Sequence, residues 1–200
     1  MESFRIYLIT DPAIGDVPRA VQAALGALPR GAAAVQFRDR AADGREALDT
    51  AEQLADIARA HGAPLMVNDR VDVAMAAGAD GVHLRRDSAS VPEARVLGAR
   101  RIGVSTHTIE EVRAAAAESA DFVVFGPVFE SPGKGAALGL EALRTVAQVG
   151  IPVFALGGVD ADNARACMRA GAAGVACIRA VLAAPDPAVA ARRMFEAVCA

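Results

Sequence analysis

The stretch Ile151–Leu182, IPVFALGGVDADNARACMRAGAAGVACIRAVL, decides how the rest of the chain is read. Its opening run, Ile151 to Leu156, has the length and apolar content of a strand buried on both faces. Gly157 and Gly158 follow, where a side chain would keep a ligand from the backbone. Asp160 to Ala170 reads as a helix with a polar start, stopped by Gly171. A second buried strand, Ala173 to Ile178, ends in Arg179. Strand, glycine pair, helix, strand is a βαβ unit whose backbone N–H groups could hold a phosphate; a glycine pair is equally at home in a plain turn.

The same alternation runs outward over the whole chain. Candidate strands are 5–10, 34–38, 65–68, 81–84, 101–104 and 122–125, besides 151–156 and 173–178. Candidate helices lie near 17–29, 43–60, 70–77, 91–98, 109–118, 139–149, 160–170 and 187–198. Eight strands alternating with eight helices predict a closed parallel (β/α)8 TIM barrel of the α/β class. An open doubly wound sheet is the rival, but no GxGxxG follows the first strand. The run AGADGVHL at 77–84 echoes AGAAGVAC at 170–177, each joining a helix end to a strand, as repeated βα modules would. No linker or shift in composition divides the chain, so residues 1–200 are read as one domain.

Composition narrows the function classes. A hydrophobic content of 54% supports a large core, and a formal net charge of −3 gives no electrostatic case for nucleic acid or an anionic membrane. No apolar run approaches the roughly 18 residues of a membrane span. The start, MESFRIYLIT, lacks the pattern of a signal peptide. Cys167, Cys177 and Cys199 are odd in number and without CxxC spacing, which points away from disulfides and zinc and toward a reducing, cytoplasmic setting.

In a barrel the chemistry sits at the C-terminal ends of the strands. Polar residues at those places are Thr10 and Asp11; Gln36, Arg38 and Arg40; Asn68, Asp69 and Arg70; His83, Arg85, Arg86 and Asp87; Ser105, Thr106 and His107; Glu130, Ser131 and Lys134; and Arg179 beyond Gly157 and Gly158. Cations, a few carboxylates and small donors on one face suit a ligand with more than one phosphate, with a divalent metal; polar strand ends also occur as ordinary solvated loops.

Alternation puts Gln36, Arg38 and Arg40 on one side of the second strand and its end, which is costly unless they meet a ligand or a salt-bridge partner. Asp69 could cap the third helix or ligate Mg2+, with Asp87 as the only nearby acid after the fourth strand to join it. Thr108 fits an N-cap with Glu111 as its capping-box partner, which leaves His107 to face the mouth as a proton-transfer group or to sit in solvent. The loop GPVFESPGKGAALG at 126–139 has the length and glycine content of a lid carrying Ser131 and Lys134 to a phosphate, or of an irregular loop.

Taken together, YLITD at 7–11, QFR at 36–38, VNDRVD at 67–72, GADGVHL at 78–84, GVSTHT at 103–108, FGPVF at 125–129 with Lys134, and ALGGV at 155–159 resemble the thiamine phosphate synthase / TenI family of (β/α)8 barrels, essentially end to end. The resemblance implies a transferase that joins hydroxymethylpyrimidine diphosphate to a thiazole phosphate, giving thiamine phosphate and pyrophosphate. It implies Gln36, Arg38, Arg40 (where the family usually has lysine) and Asn68 on the diphosphate, with Asp69 as a Mg2+ ligand; Asp87, the nearby acid noted above, is the candidate for a second. Ser105, Ser131 and Lys134 would meet the pyrophosphate, and Gly157, Gly158, Ile178 and Arg179 would border the thiazole phosphate. The partners implied are these small phosphorylated substrates, and barrels of this size often self-associate into homo-oligomers.

The chain departs from the family pattern at several places. The run after the fourth strand usually reads Gly-Gln-acid-Asp, its Asp being the second metal ligand; here it is Arg85-Arg86-Asp87-Ser88. Two threonines of the sixth loop are Ser131 and Gly133, and a serine after the eighth strand is Arg179. The family's other activity, aromatising tautomerisation of a thiazole carboxylate phosphate, needs one phosphate pocket and a proton-transfer residue, which His107 matches, and no metal. A third alternative is a non-catalytic barrel that binds a thiamin-related phosphate.

Overall fold

A computed structural model describes residues 4–131, 133 and 135–200. Among them, eight strands close into a parallel barrel in chain order: β1 (Ile6–Ile9), β2 (Ala33–Phe37), β3 (Leu65–Asn68), β4 (Gly81–Leu84), β5 (Arg101–Thr106), β6 (Phe122–Phe125), β7 (Val153–Ala155) and β8 (Gly174–Cys177). Closure is made by β1, which pairs with β2 (Tyr7 opposite Ala34) and with β8 (Tyr7 opposite Ala176). The expected (β/α)8 barrel is therefore the fold.

Helices α1 (Val17–Gly26), α2 (Gly44–Ala60), α3 (Val71–Ala76), α4 (Val91–Val96), α5 (Ile109–Ala117), α6 (Gly139–Ala147), α7 (Ala164–Arg169), α8 (Arg179–Leu182) and α9 (Pro187–Cys199) accompany the strands. Their starts follow from side chains that satisfy first-turn N–H groups: Asp16, Asp43, Ser90, Thr108 and Asp186 all accept such bonds. The echo of 77–84 in 170–177 is structural too, since Gly78 (φ 64°) and Gly171 (φ 97°) turn the chain out of α3 and α7 toward β4 and β8.

Three expectations needed correction. The helix expected from residue 160 begins at Ala164, because the Asp160 carboxylate accepts from the N–H groups of Asp162 and Asn163 and forms a turn instead. The short α8 was not expected; at four residues it is too brief to give a periodic signal. Strand β5 runs to Thr106 rather than ending at Val104, which puts Ser105 on the strand itself.

The strand pleat divides the core in two. Ile6, Leu8, Val35, Leu65, Val67, Val82, Leu84, Ile102 and Val123 face the helices and form the larger cluster. Tyr7, Ile9, Ala34, Met66, Phe122, Val124, Phe154 and Ala176 fill the barrel interior with Phe4. The aromatic layer is close-packed, with Phe122 edge-on to Tyr7 (5.3 Å between centroids) and to Phe154 (5.5 Å). Inward glycines make room for it: a Cβ at Gly103 would lie 2.4 Å from the Phe122 ring, and one at Gly174 2.5 Å from Phe154. Small residues opposite large ones are what a filled barrel requires. No helix among the described residues is long and apolar enough to cross a membrane.

Candidate active site

Above the aromatic layer, the inward positions turn polar. Gln36, Asn68 and His83 are buried, at 2%, 8% and 2% exposure, and Ser105 is half-buried. They sit near the C-terminal ends of β2, β3, β4 and β5, so the pleat that built the apolar interior also aims these groups toward the mouth. Buried polar groups need partners, and no buried side-chain nitrogen or oxygen among the described residues lacks one.

Their partners form a chain across the barrel. Gln36 Nε2 donates to the Tyr7 hydroxyl at 3.1 Å; that hydroxyl lies 3.3 Å from His83 Nδ1, and His83 Nε2 lies 2.9 Å from Ser105 Oγ. The direction follows from the donor inventory. Burial depresses the His83 pKa to about 3, with the Asp69 charge opposing, so the ring is neutral at pH 7 and carries one N–H. Tyr7 accepts from Gln36 and has one proton to give, which goes to Nδ1; burial holds that phenol protonated by raising its pKa. The imidazole proton then lies on Nε2 and is donated to Ser105, whose own hydroxyl proton is left for another acceptor. Tyr7 and His83 had no assigned role in the sequence reading. The inward parity of Tyr7 with Gln36 was the available signal.

The second group lies around β2 and the loop after it. Arg38 is half-buried and makes no salt bridge among the described residues, so the salt-bridge explanation for an inward arginine does not hold. Burial lowers its pKa first, then the neighbouring Arg40 charge; Arg85 adds to this and Asp11 opposes it. Thr10 fixes the backbone beneath it, its hydroxyl oxygen accepting from Arg38 N at 2.8 Å. Arg40 is exposed, and Arg70 turns outward onto Asp72.

Asp69 is neither a helix cap nor one of a pair of acids. Its φ of 64° places it in the left-handed region, and α3 starts with no side-chain cap bond. Its carboxylate accepts from Arg85 Nε at 2.6 Å and from the Ser88 hydroxyl, with Asn68 Nδ2 at 3.4 Å. Asp87, expected to join it as a metal ligand, lies instead on the other side of Arg85, 3.3 Å from Nη1 and largely exposed. Among the described residues there is no group of three His, Cys, Asp or Glu side chains that could hold a metal ion. A hard dication takes several oxygen ligands, and here one carboxylate is already engaged by a guanidinium and a neutral serine stands where a second was expected. These residues do not fit a carboxylate-held Mg2+.

His107 is exposed, with Nδ1 2.5 Å from the Gly126 carbonyl. Since a carbonyl only accepts, Nδ1 carries a proton in this contact. Thr108 caps α5 as expected, but the Glu111 carboxylate reaches one residue further back and accepts from His107 N, which fixes the loop that carries the ring.

Ser131, Gly157, Gly158, Ile178 and Arg179 line one cavity of about 310 Å³ between the ends of β7 and β8. The glycine pair has a packing reason of its own. Both residues have positive φ, 95° and 63°, and added Cβ atoms would lie 2.5 Å from Pro127 Cα and 2.4 Å from the Glu130 carbonyl oxygen. The loop after β6 lies against them, with Val128 N and Phe129 N donating to the carbonyls of Leu156 and Gly157. Lys134 lies outside the described residues. Arg179, the first residue of α8, is exposed at the cavity edge.

Fold and site define a class: a (β/α)8 barrel with a glycine-lined cavity after its last two strands and a separate cationic group across the same mouth, suited to phosphorylated ligands. A family model described as thiamine monophosphate synthase matches residues 6–181. The chain belongs to that family. It is 42% identical over 198 residues to the thiamine-phosphate synthase of Chloroflexus aurantiacus, covering 96% of this chain and 91% of the relative. It is 38% identical over 204 residues to that of Moorella thermoacetica, covering 99% and 97%. The solved thiamine phosphate pyrophosphorylase from Pyrococcus furiosus superposes with a TM-score of 0.91 at 35% identity, covering 98% of this chain and 96% of that one.

Proposed function

We propose that the chain is a thiamine phosphate synthase, transferring the pyrimidine methylene of hydroxymethylpyrimidine diphosphate to the ring nitrogen of a thiazole phosphate. The observation that carries the reading is a glycine-lined cavity and a separate group of arginines at one barrel mouth, in a member of this family. The thiazole phosphate occupies the Gly157–Gly158 cavity beside Ile178 and Arg179. The diphosphate faces Arg38, Arg40 and Arg85, with Ser105 as an aligned hydroxyl donor. As the carbon–oxygen bond breaks, its electron pair leaves with the pyrophosphate, and the thiazole nitrogen lone pair forms the new carbon–nitrogen bond. Fixed donors at the leaving oxygens stabilise the charge that develops there. The tautomerase alternative needs only the first of these groups. The retained Gln36 and Ser105 in one hydrogen-bonded interior, with Asn68 beside Asp69, support the two-substrate reaction.

The test is incubation of the pure protein with both substrates, with and without Mg2+, and assay of thiamine phosphate; no product under either condition removes the reading. A cytoplasmic setting is part of it, supported by three unpaired thiols. So is self-association, supported by the exposed Met75, Val96 and Leu97 and checked by size-exclusion chromatography.

A further inference from the structure

The Arg85 guanidinium occupies a built site. Its Nε and Nη2 lie 2.6 and 2.5 Å from one Asp69 oxygen, and its Nη1 lies 3.3 Å from Asp87. The Ser88 hydroxyl donates to the other Asp69 oxygen and accepts from Arg85 N at 2.7 Å, so the loop after β4 folds back on itself around the ion pair. Asp69 is held in its left-handed conformation by its own N–H, which donates to the His83 carbonyl at 3.0 Å. A residue kept in a sparsely populated conformation at a barrel mouth is characteristic of positioning for function.

Guanidinium has five N–H donors. Nε–H donates to Asp69, while Nη2 and Nη1 lie within ion-pair distance of Asp69 and Asp87; even with one N–H of each so engaged, a second on each terminal nitrogen is left for another acceptor. Arg85 is 27% exposed in its side chain, and Arg85, Arg86, Ser88 and Ser105 border one cavity of about 380 Å³, so those donors have an approach route. Glu93, Glu111 and Glu118 border the same cavity from α4 and α5 and repel an anion there, so only its arginine end can take one.

We propose that Arg85, oriented by Asp69, Asp87 and Ser88, takes the place of a divalent metal ion, so that this barrel binds inorganic pyrophosphate, and the diphosphate that yields it, through guanidinium groups without metal. The choice of ligand rests on the synthase reading above. A planar guanidinium receives phosphate oxygens bidentately, and its fixed charge needs no ligand shell of carboxylates. Asp69 is then a positioning residue for Arg85, and Ser88 serves as a neutral brace where a third carboxylate, beside Asp69 and Asp87, would compete for the guanidinium.

The test is calorimetric titration of the full-length protein with inorganic pyrophosphate, once in EDTA and once in Mg2+. The expected result is Kd values within about twofold of one another, and an Arg85→Gln variant at least about tenfold weaker in EDTA, as loss of a charge-assisted contact implies. Arg85→Lys, which keeps the charge but not the fork, is expected between the two. The double variant Arg85→Gly with Ser88→Asp is expected to bind pyrophosphate at least about tenfold better with Mg2+ than without. Wild-type binding that requires Mg2+, or EDTA binding unchanged in a folded Arg85→Gln variant, overturns the proposal. Metal-free pyrophosphate binding without thiamine phosphate formation would retain the arginine site and discard the synthase reading.

Discussion

His83 Nε2 lies 2.9 Å from Ser105 Oγ, and this bond joins the buried interior of the barrel to its mouth. His83 is neutral, so it works here as an orienting donor rather than as a proton carrier. Replacing it by asparagine keeps a polar group near the place of Nδ1 and removes the one at Nε2. His83→Asn is expected to lower kcat about tenfold, in line with one lost hydrogen bond. Ser105→Ala is expected to cost a similar factor, and the double variant no more than either alone. Steady-state kinetics on the three proteins checks this; additive losses would mean that the two residues act independently.

Tyr7 supports His83 from below. Tyr7→Phe leaves the Gln36 amide and the His83 Nδ1 without their partner inside the barrel. A loss of about 1–3 kcal/mol in unfolding free energy is expected, measured by urea denaturation.

The depressed His83 pKa carries a pH dependence. The folded protein holds the ring neutral down to about 3, whereas the unfolded chain takes up the proton near 6.5. The unfolded state therefore binds the extra proton between these values. The contribution from this group is fully present above pH 6.5 and falls as pH drops toward 3, by at most about 1.4 kcal/mol per pH unit. Urea denaturation across this range should show the slope in the wild type and a shallower one in His83→Asn.

Gly158→Ala tests the seat of the loop after β6. The new methyl group would sit 2.4 Å from the Glu130 carbonyl oxygen, on a backbone with φ of 63°. Either the loop moves or the strain stays, at a cost of about 1–3 kcal/mol, which corresponds to several degrees in Tm for a chain of this size. Calorimetry measures the loss, and weakened binding of the thiazole phosphate should accompany it.

Among these residues, some roles were legible in the sequence and some were not. The inward parity of Gln36 and Arg38, the cap at Thr108, and the gathering of Gly157, Gly158 and Arg179 all follow from local rules of pleat, capping and turn. Asp69 shows where such rules stop. An acid before a helix reads as a cap, and only the folded chain puts Arg85 and Ser88 against it, 16 and 19 residues away in sequence. The glycine pair was legible as a place of close approach, but only the folded chain shows that the loop after β6 is what approaches it.

The sequence by itself determined the barrel, its direction and the face that carries the chemistry, because apolar runs, glycine stops and helix caps act over a few residues and repeat along the chain. Tertiary structure alone decided which polar groups meet. The Gln36–Tyr7 contact spans 29 residues and arises when β1 pairs with β2, and the Tyr7–His83 contact spans 76 and arises across the closed barrel. Hydrogen-bond partners are selected over distances of about 3 Å, and no pattern along the chain encodes a separation that only closure creates.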